Sequence, residues 1–418
     1  MSKKINIDYL ARVEGEANIL IKFGENGTEE LKLKIFEPPR FFEGFLIGRS
    51  FDEVGDIVSR ICGICPVSHM TTAILAVENA CGIRVSEQTR ILRKILSMSQ
   101  IAASHVIHLY MLALPDYHKK KSIIEMMPDF GQEIERLVRM KEILNGLTAV
   151  IGGRALHPVT HMPGGFTRVP DPDHLKLCAK NLDSIRPDAE ETVKLISKLP
   201  YPEFVRSSEY VCINSNEEYS VNHGNIISSS GMNIGIEKYY DYFEEKQVKY
   251  AMAKQTHIKG RSSLMSGALA RVNLKFNKLN SSTMALAEEI GFSIPDNNIF
   301  HNNTAQALET HHFVEECIRL IKEFDLREES RIRKFSAGEG GAATEAPRGL
   351  LYHWYRVNRR GIVEKANIVT PTSHNFSNIE GDLRAFVDAY RYLPVDELRS
   401  GCEKLVRAYD PCFSCSVH

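Results

Sequence analysis

The chain has 418 residues, 43% of them apolar and 25% charged, with a formal net charge of −1. Such a composition belongs to a globular protein that buries a large core, and it supplies no basic field for nucleic acid or an anionic membrane. The amino terminus MSKKINIDYL lacks the apolar stretch of a secretory signal, and no run of 18 apolar residues offers a membrane span.

Residues 5–36 read as strands, with Asn26-Gly27 as the hairpin signal between ILIKF and LKLKIF. Residues 50–61 read as a helix that runs into Cys62, with Ser50 and Glu53 as a capping box and Val54, Ile57, Val58 and Ile61 along one face. Apolar residues at three-to-four spacing predict long helices at about 86–114, 130–150 and 174–199. Residues 200–275 form a β-rich excursion in which EYVCI, GNIISSS and NIGIEKYY are the strand-like runs. Helical spacing returns at about 280–292 and 303–325. A hairpin over 349–371 turns near Asn358–Gly361, and a helix follows at about 380–393. There are no repeats and no long linker.

The chain carries nine cysteines and no export signal, so a disulfide framework is not expected. Cys81, Cys178, Cys212, Cys317 and Cys402 stand alone and read as small buried apolar side chains. The other four form two Cys-x-x-Cys pairs, each followed by a histidine: Cys62 and Cys65 with His69, and Cys412 and Cys415 with His418. Such spacing lets one backbone turn aim two soft thiolates at one metal ion. A structural zinc site is the plainer reading, but such sites keep their pairs within ~20 residues. If the two pairs share a site, the chain ends meet inside the fold, and residues 1–418 make one interwoven domain.

Arg-x-Cys-Gly-x-Cys-x-x-x-His at Arg60–His69 and Asp-Pro-Cys-x-x-Cys-x-x-His at Asp410–His418 resemble the two metal-binding signatures in the large subunit of nickel–iron hydrogenases. ARVEGE, RFFEGFLIGR, HLYMLALPDY, GGRALHPV, EAPRGLLYHW and TPTSHN extend the resemblance in order along the chain. The resemblance implies that Cys62 and Cys412 bind nickel alone, while Cys65 and Cys415 bridge nickel to an iron carrying carbon monoxide and cyanide. It makes Arg348 a donor over the metal pair, with Asp116 and Asp410 orienting it. Pro347 walls the pocket, Thr372 hydrogen-bonds a cyanide, and His69 lies just outside the ligand set. Glu14 takes the proton from the nickel thiolate Cys412. Glu43 and His418 hold a magnesium-like ion, with a carbonyl from near Ile379. His105 and His108 read as core or supporting histidines. The implied reaction is the reversible, heterolytic cleavage of dihydrogen to protons and electrons.

With four cysteines in one site, the remaining five cannot assemble an ordinary four-cysteine iron–sulfur cluster. The electrons therefore need an iron–sulfur small subunit, with which an extensive apolar interface is expected. Ser373-His374 stands where membrane-bound relatives have Thr-Trp, so the chain looks like the cytoplasmic, bidirectional branch. Members of that branch pass electrons through further flavin or iron–sulfur subunits to NAD(P), ferredoxin or a deazaflavin. The competing readings are a hydrogen-sensing homologue, a metal-free relative in respiratory complex I, and a structural-zinc scaffold. The expected fold is α+β, mainly α: a long-helix bundle with small sheets, including the 200–275 and 349–371 hairpins, at its periphery.

Overall fold

The computed structural model describes residues 4–24 and 27–418. Strands β1 (Lys4–Ile7), β2 (Ala17–Gly24) and β3 (Gly27–Ile35) form an antiparallel sheet, its alternate residues Ile19, Ile21, Leu33 and Ile35 facing inward. Gly24 pairs with Gly27, while Asn26 lies outside the described residues. After α1 (Phe42–Leu46) comes α2 (Val54–Ser59), shorter at both ends than the 50–61 helix expected. Half of the capping box forms, the Ser50 N–H donating to the Glu53 carboxylate at 3.0 Å. The chain then turns through 60–65, so Cys62 sits in a loop rather than at a helix end.

Helix α3 (Pro66–Cys81) is absent from the sequence expectations because it is buried nearly all round and so shows no stripe. Helix α4 (Glu87–Ile107) is capped by Ser86, whose hydroxyl accepts the Thr89 N–H at 3.1 Å. It continues through a wide π turn at His108–Ala113 into α5 (Leu114–Tyr117). By length and composition Glu87–Tyr117 could cross a membrane, but 83% of its apolar window is buried in the fold. Helices α6 (Ile123–Met126) and α7 (Gly131–Gly152) follow, then a short pair, β4 (His161–Met162) and β5 (Gly165–Phe166). The single helix expected at 174–199 is two, α8 (Pro172–Ser184) and α9 (Arg186–Ser197). Pro187 lacks the N–H that a continuous helix would need there.

The β-rich excursion holds β6 (Val211–Asn214), β7 (Asn225–Ser228) and β8 (Asn233–Ile234) in one sheet. NIGIEKYY leaves the strand after Ile234 and becomes a tight turn and α10 (Tyr239–Tyr242). The hairpin β9 (Phe243–Gln247) and β10 (Lys254–Ile258) follows, and the excursion closes on a helix, α11 (Ala268–Lys275). Helices α12 (Ser281–Glu289) and α13 (Asn302–Glu323) lie as expected.

The expected 349–371 hairpin exists as β12 (Gly349–Val357) and β13 (Val363–Val369), but it is not peripheral. A third strand, β11 (Gly338–Ala346), pairs with β12, and this sheet packs against α3. GEGGAATEA carries no β-branched signal except Thr344, because its glycines serve close approach. A Cβ at Gly340 would stand 2.6 Å from the backbone nitrogen of Ala80. Pro371 does not end the hairpin; it opens α14 (Pro371–Ala389), since proline is well suited to a first helical turn. The chain ends with α15 (Val395–Ala408) and α16 (Phe413–Ser416). Helices α4, α7, α8, α9 and α13 make the principal core, and α3 with the β11–β13 sheet forms a second layer beside it. The architecture is α+β and mainly helical, with small antiparallel sheets.

Candidate metal centre

The two ends of the chain meet at the cysteines. The Phe413 N–H donates to the Glu14 carbonyl at 2.8 Å, and the Arg40 N–H to that of Val417 at 3.1 Å. Gly15 permits the approach: at φ +84° it has no Cβ, and one added there would lie 2.5 Å from the Ser414 nitrogen. Asp410 takes a left-handed φ of 51°, which turns the chain from α15 into the Cys412 segment.

Sγ of Cys62 lies 3.8 Å from that of Cys412, and Sγ of Cys65 lies 3.9 Å from that of Cys415. All four are buried; Cys412 and Cys415 are joined as a disulfide, which must be reduced before all four serve as thiolates. The loop does what Cys-x-x-Cys spacing is suited to, since the N–H groups of Ile64 and Cys65 both point at Cys62 Sγ, each at 3.3 Å. The hydrogen bond from Cys65 draws the Cys62 thiol down to about 7 against the effect of burial, and the Arg348 charge adds to this. Donating that bond, and buried, Cys65 is pushed well above its ordinary value. Burial instead pushes Cys81 up to about 11 and Cys402 to about 12, as inert core thiols. The five single cysteines are all buried.

Arg348 lies in the two-residue turn between β11 and β12. Its Nε donates to the Asp410 carbonyl at 2.7 Å and its Nη2 to the Asp410 carboxylate at 3.1 Å. Nη1 is buried without a protein partner. Burial opposes its charge, but Asp410 overrides that and holds the guanidinium above its ordinary value. Four buried cysteines, one thiol already eased toward thiolate, and an unspent cationic donor fit a thiolate-bound metal centre. Asp116 departs from expectation. Its carboxylate accepts from Arg407 at 2.6 and 2.8 Å and pairs with Arg12, so it does not orient Arg348; Asp410 alone does so.

Glu14 is aimed at Cys412, with Oε2 2.8 Å from Sγ. Ser414, which no sequence signal singled out, holds that carboxylate with its N–H at 3.2 Å and its hydroxyl. The Thr372 hydroxyl accepts the Cys412 N–H at 2.9 Å, which leaves its own hydrogen to donate. Pro347 is buried beside Arg348. His69 Nδ1 lies 3.3 Å from Nε2 of the unforeseen His353, and burial lowers the His69 pKa to about 3. His105 pairs with Glu309 at 2.9 Å, and His108 bridges Gln306 and the Arg407 carbonyl at 2.5 and 2.7 Å; both are buried.

A second donor set lies at the C-terminal histidine. His418 Nδ1 donates to the Cys415 carbonyl at 2.8 Å, leaving Nε2 free 3.7 Å from Glu43 Oε1. Burial pushes Glu43 up, but His418 more than offsets it and holds the carboxyl low. The backbone beside Glu43 is that of Ile368, whose N–H donates to it at 2.9 Å, and not the segment near Ile379, which lies in the main core.

A family profile described as Nickel-dependent hydrogenase matches residues 40–139 and 234–418. The alpha chain of sulfhydrogenase 1 from Pyrococcus furiosus is 36% identical over 99% of this chain and 97% of its own length. The corresponding chain of sulfhydrogenase 2 from the same organism is 32% identical over 99% of this chain and 98% of its own. The large chain of the vhu F420-non-reducing hydrogenase from Methanocaldococcus jannaschii is 28% identical over 90% of this chain and 97% of its own. Among solved structures, an NAD+-reducing [NiFe]-hydrogenase in the H2-reduced state superposes with a TM-score of 0.88 at 22% identity, covering 100% of this chain and 99% of that one.

Proposed function

Because the chain belongs to the nickel-dependent hydrogenase family, as the catalytic large subunit of a nickel–iron enzyme acting on dihydrogen, we propose that it cleaves dihydrogen heterolytically and reversibly at the four cysteines. The observation that carries this reading is the convergence of Cys62, Cys65, Cys412 and Cys415 beneath the unspent Nη1 of Arg348. When bound, a nickel–iron pair supplies the Lewis acidity that makes dihydrogen acidic and the redox capacity that stores its electrons.

The side chains do the rest. Cys62 and Cys412 are the terminal nickel ligands in this assignment, and Cys65 and Cys415 the bridging ones. Cys412 passes its proton to Glu14 Oε2 over 2.8 Å, and Ser414 keeps that oxygen in place. Arg348, held cationic by Asp410, donates hydrogen bonds into the site and does not act as its base. Its Nη1 and the Thr372 hydroxyl are the donors for cyanide ligands on an iron that also carries carbon monoxide. Pro347 closes the wall, and neutral His69 supports the loop. Glu43 Oε1 and His418 Nε2 bind a hard ion such as Mg2+. The Ile368 carbonyl lies on the Glu43 side of β13, because its N–H already points there.

Electrons leave to a small subunit that carries iron–sulfur clusters. Among the described residues the metal-capable cysteine groups all lie at this one site, and the single cysteines are buried and scattered. Phe41, Phe45 and Ile47 (68%, 60% and 48% exposed) form, with Leu156 and Val159, the apolar docking face. Arg40, next to this patch, donates to the Ile61 carbonyl at 2.7 Å, which places the face beside the Cys62 loop. Further flavin or iron–sulfur subunits, the cytoplasmic location and an NAD(P) or ferredoxin acceptor complete the proposal. The relatives named F420-non-reducing disfavour a deazaflavin acceptor.

An infrared spectrum of the complex with its natural partners tests the reading. Sharp bands between the amide and C–H stretches, from metal-bound carbon monoxide and cyanide, are expected. Their absence, with zinc in place of nickel, would show a structural clasp instead.

A further inference from the structure

The turn that carries Arg348 is gripped by a second arginine that the reaction itself does not use. Arg271, on α11, is fully buried and spends each of its N–H groups. Nε and Nη2 donate to the two oxygens of Glu309, both at 2.6 Å. Nη1 donates to Glu345 at 3.0 Å and to the Ala346 carbonyl at 2.9 Å, and Nη2 reaches the Pro347 carbonyl at 3.4 Å. The three residues that precede Arg348 are thus held by one planar fork. Glu309 is itself pinned by His105 at 2.9 Å and by the Tyr219 hydroxyl at 2.5 Å, and Glu345 accepts the Ile213 N–H at 2.6 Å. The Arg348 carbonyl is held in turn by Asn375 at 3.3 Å.

A buried ion cluster is a poor source of net stability, because desolvation offsets its attraction. What it does supply is direction: guanidinium bonds are planar and fixed, and two of these end on backbone carbonyls within two residues of Arg348. We propose that Arg271, anchored by Glu309, is a positioning residue for the reaction, locking the Ala346–Pro347 backbone so that Nη1 of Arg348 is aimed at the four-cysteine site. The proposal rests on the role given to Arg348 above.

The test uses the metal-loaded complex with its natural partners. Arg271→Lys keeps a cation between Glu309 and Glu345 but loses the fork. Nickel content is expected to stay at that of the unsubstituted complex, while hydrogen–deuterium exchange falls about 10²-fold, the cost of a misplacement of about 1 Å. The cyanide stretching bands should shift in the same direction as in Arg348→Lys, and the double variant should be no slower than Arg348→Lys alone. Glu345→Gln asks the same of the other end of the clamp if Arg271→Lys yields no folded complex. Effects that multiply in the double variant, or bands that move in Arg348→Lys and stay fixed in the clamp variants, would overturn the proposal. Diatomic bands missing from the unsubstituted complex would instead overturn the reading of the site, and this inference with it.

Discussion

Arg348 and Arg271 occupy neighbouring regions and differ in one respect. Both are buried, both face carboxylates, and both touch the turn between β11 and β12. Every N–H of Arg271 ends on a protein oxygen, whereas Nη1 of Arg348 ends on none. A buried donor without a partner is costly, so a fold keeps one where something else is to be bound. A spent guanidinium marks a strut, and an unspent one marks a site. The cysteines divide the same way: Cys62 is drawn toward thiolate by its neighbour, while the single cysteines are pushed into inertness by burial.

Four substitutions break or sharpen this contrast, in falling order of effect. Cys412→Ser removes one thiolate and should bring dihydrogen oxidation with a viologen acceptor to background while circular dichroism stays native; retained turnover would remove Cys412 from the ligand set. Arg348→Lys keeps the charge but loses the free donor, and turnover should drop by about 10²-fold, as for other preorganised donors. Nickel content should be unchanged, and unaltered kinetics would take Arg348 out of the reaction. Glu309→Ala attacks the strut, leaving Arg271 buried with half its partners gone, for a loss of about 3–5 kcal/mol in unfolding free energy from denaturant titration. A loss below about 1 kcal/mol would show that the cluster is not a strut.

His374 is the intermediate case, buried with both ring nitrogens spent, on the Tyr239 hydroxyl at 2.7 Å and the Thr370 carbonyl at 3.0 Å. Burial lowers its pKa to about 4. The unfolded chain therefore takes up this proton near pH 6.5 and the folded protein does not, so stability is lost as pH falls from about 6.5 toward 4. His374→Gln should flatten that loss by roughly 2–3 kcal/mol, read from denaturant titrations between pH 7 and 4.5. An identical pH slope in the variant would place the lost stability on other groups.

How far the sequence carried depended on whether a feature was local. The helices α4, α7 and α13 showed as apolar stripes because one side of each meets the core. Helix α3 did not, because burial on every side erases the period. Strand β11 hid behind glycines that are there for the backbone of Ala80, a neighbour that no local window contains. In the site, Cys62, Cys65, Cys412, Cys415, Glu14 and Arg348 were named from their motifs. Asp116 was assigned to the wrong arginine, and Ile379 was named where Ile368 stands, because side-chain partners and strand edges depend on three-dimensional placement. Ser414, His353 and Arg271 had no local signal at all.

By itself the sequence determined the chemistry available, four soft thiolates in two turn-forming pairs with a carboxylate and an arginine in recognisable surroundings, because ligand type and short-range spacing are properties of the chain. Only the tertiary structure decided that residues 350 positions apart share one buried site, that Asp410 rather than Asp116 holds Arg348, and which buried arginine keeps a donor free. Those outcomes depend on packing between distant segments, and no local pattern records how the donors of one guanidinium are divided among partners from different elements.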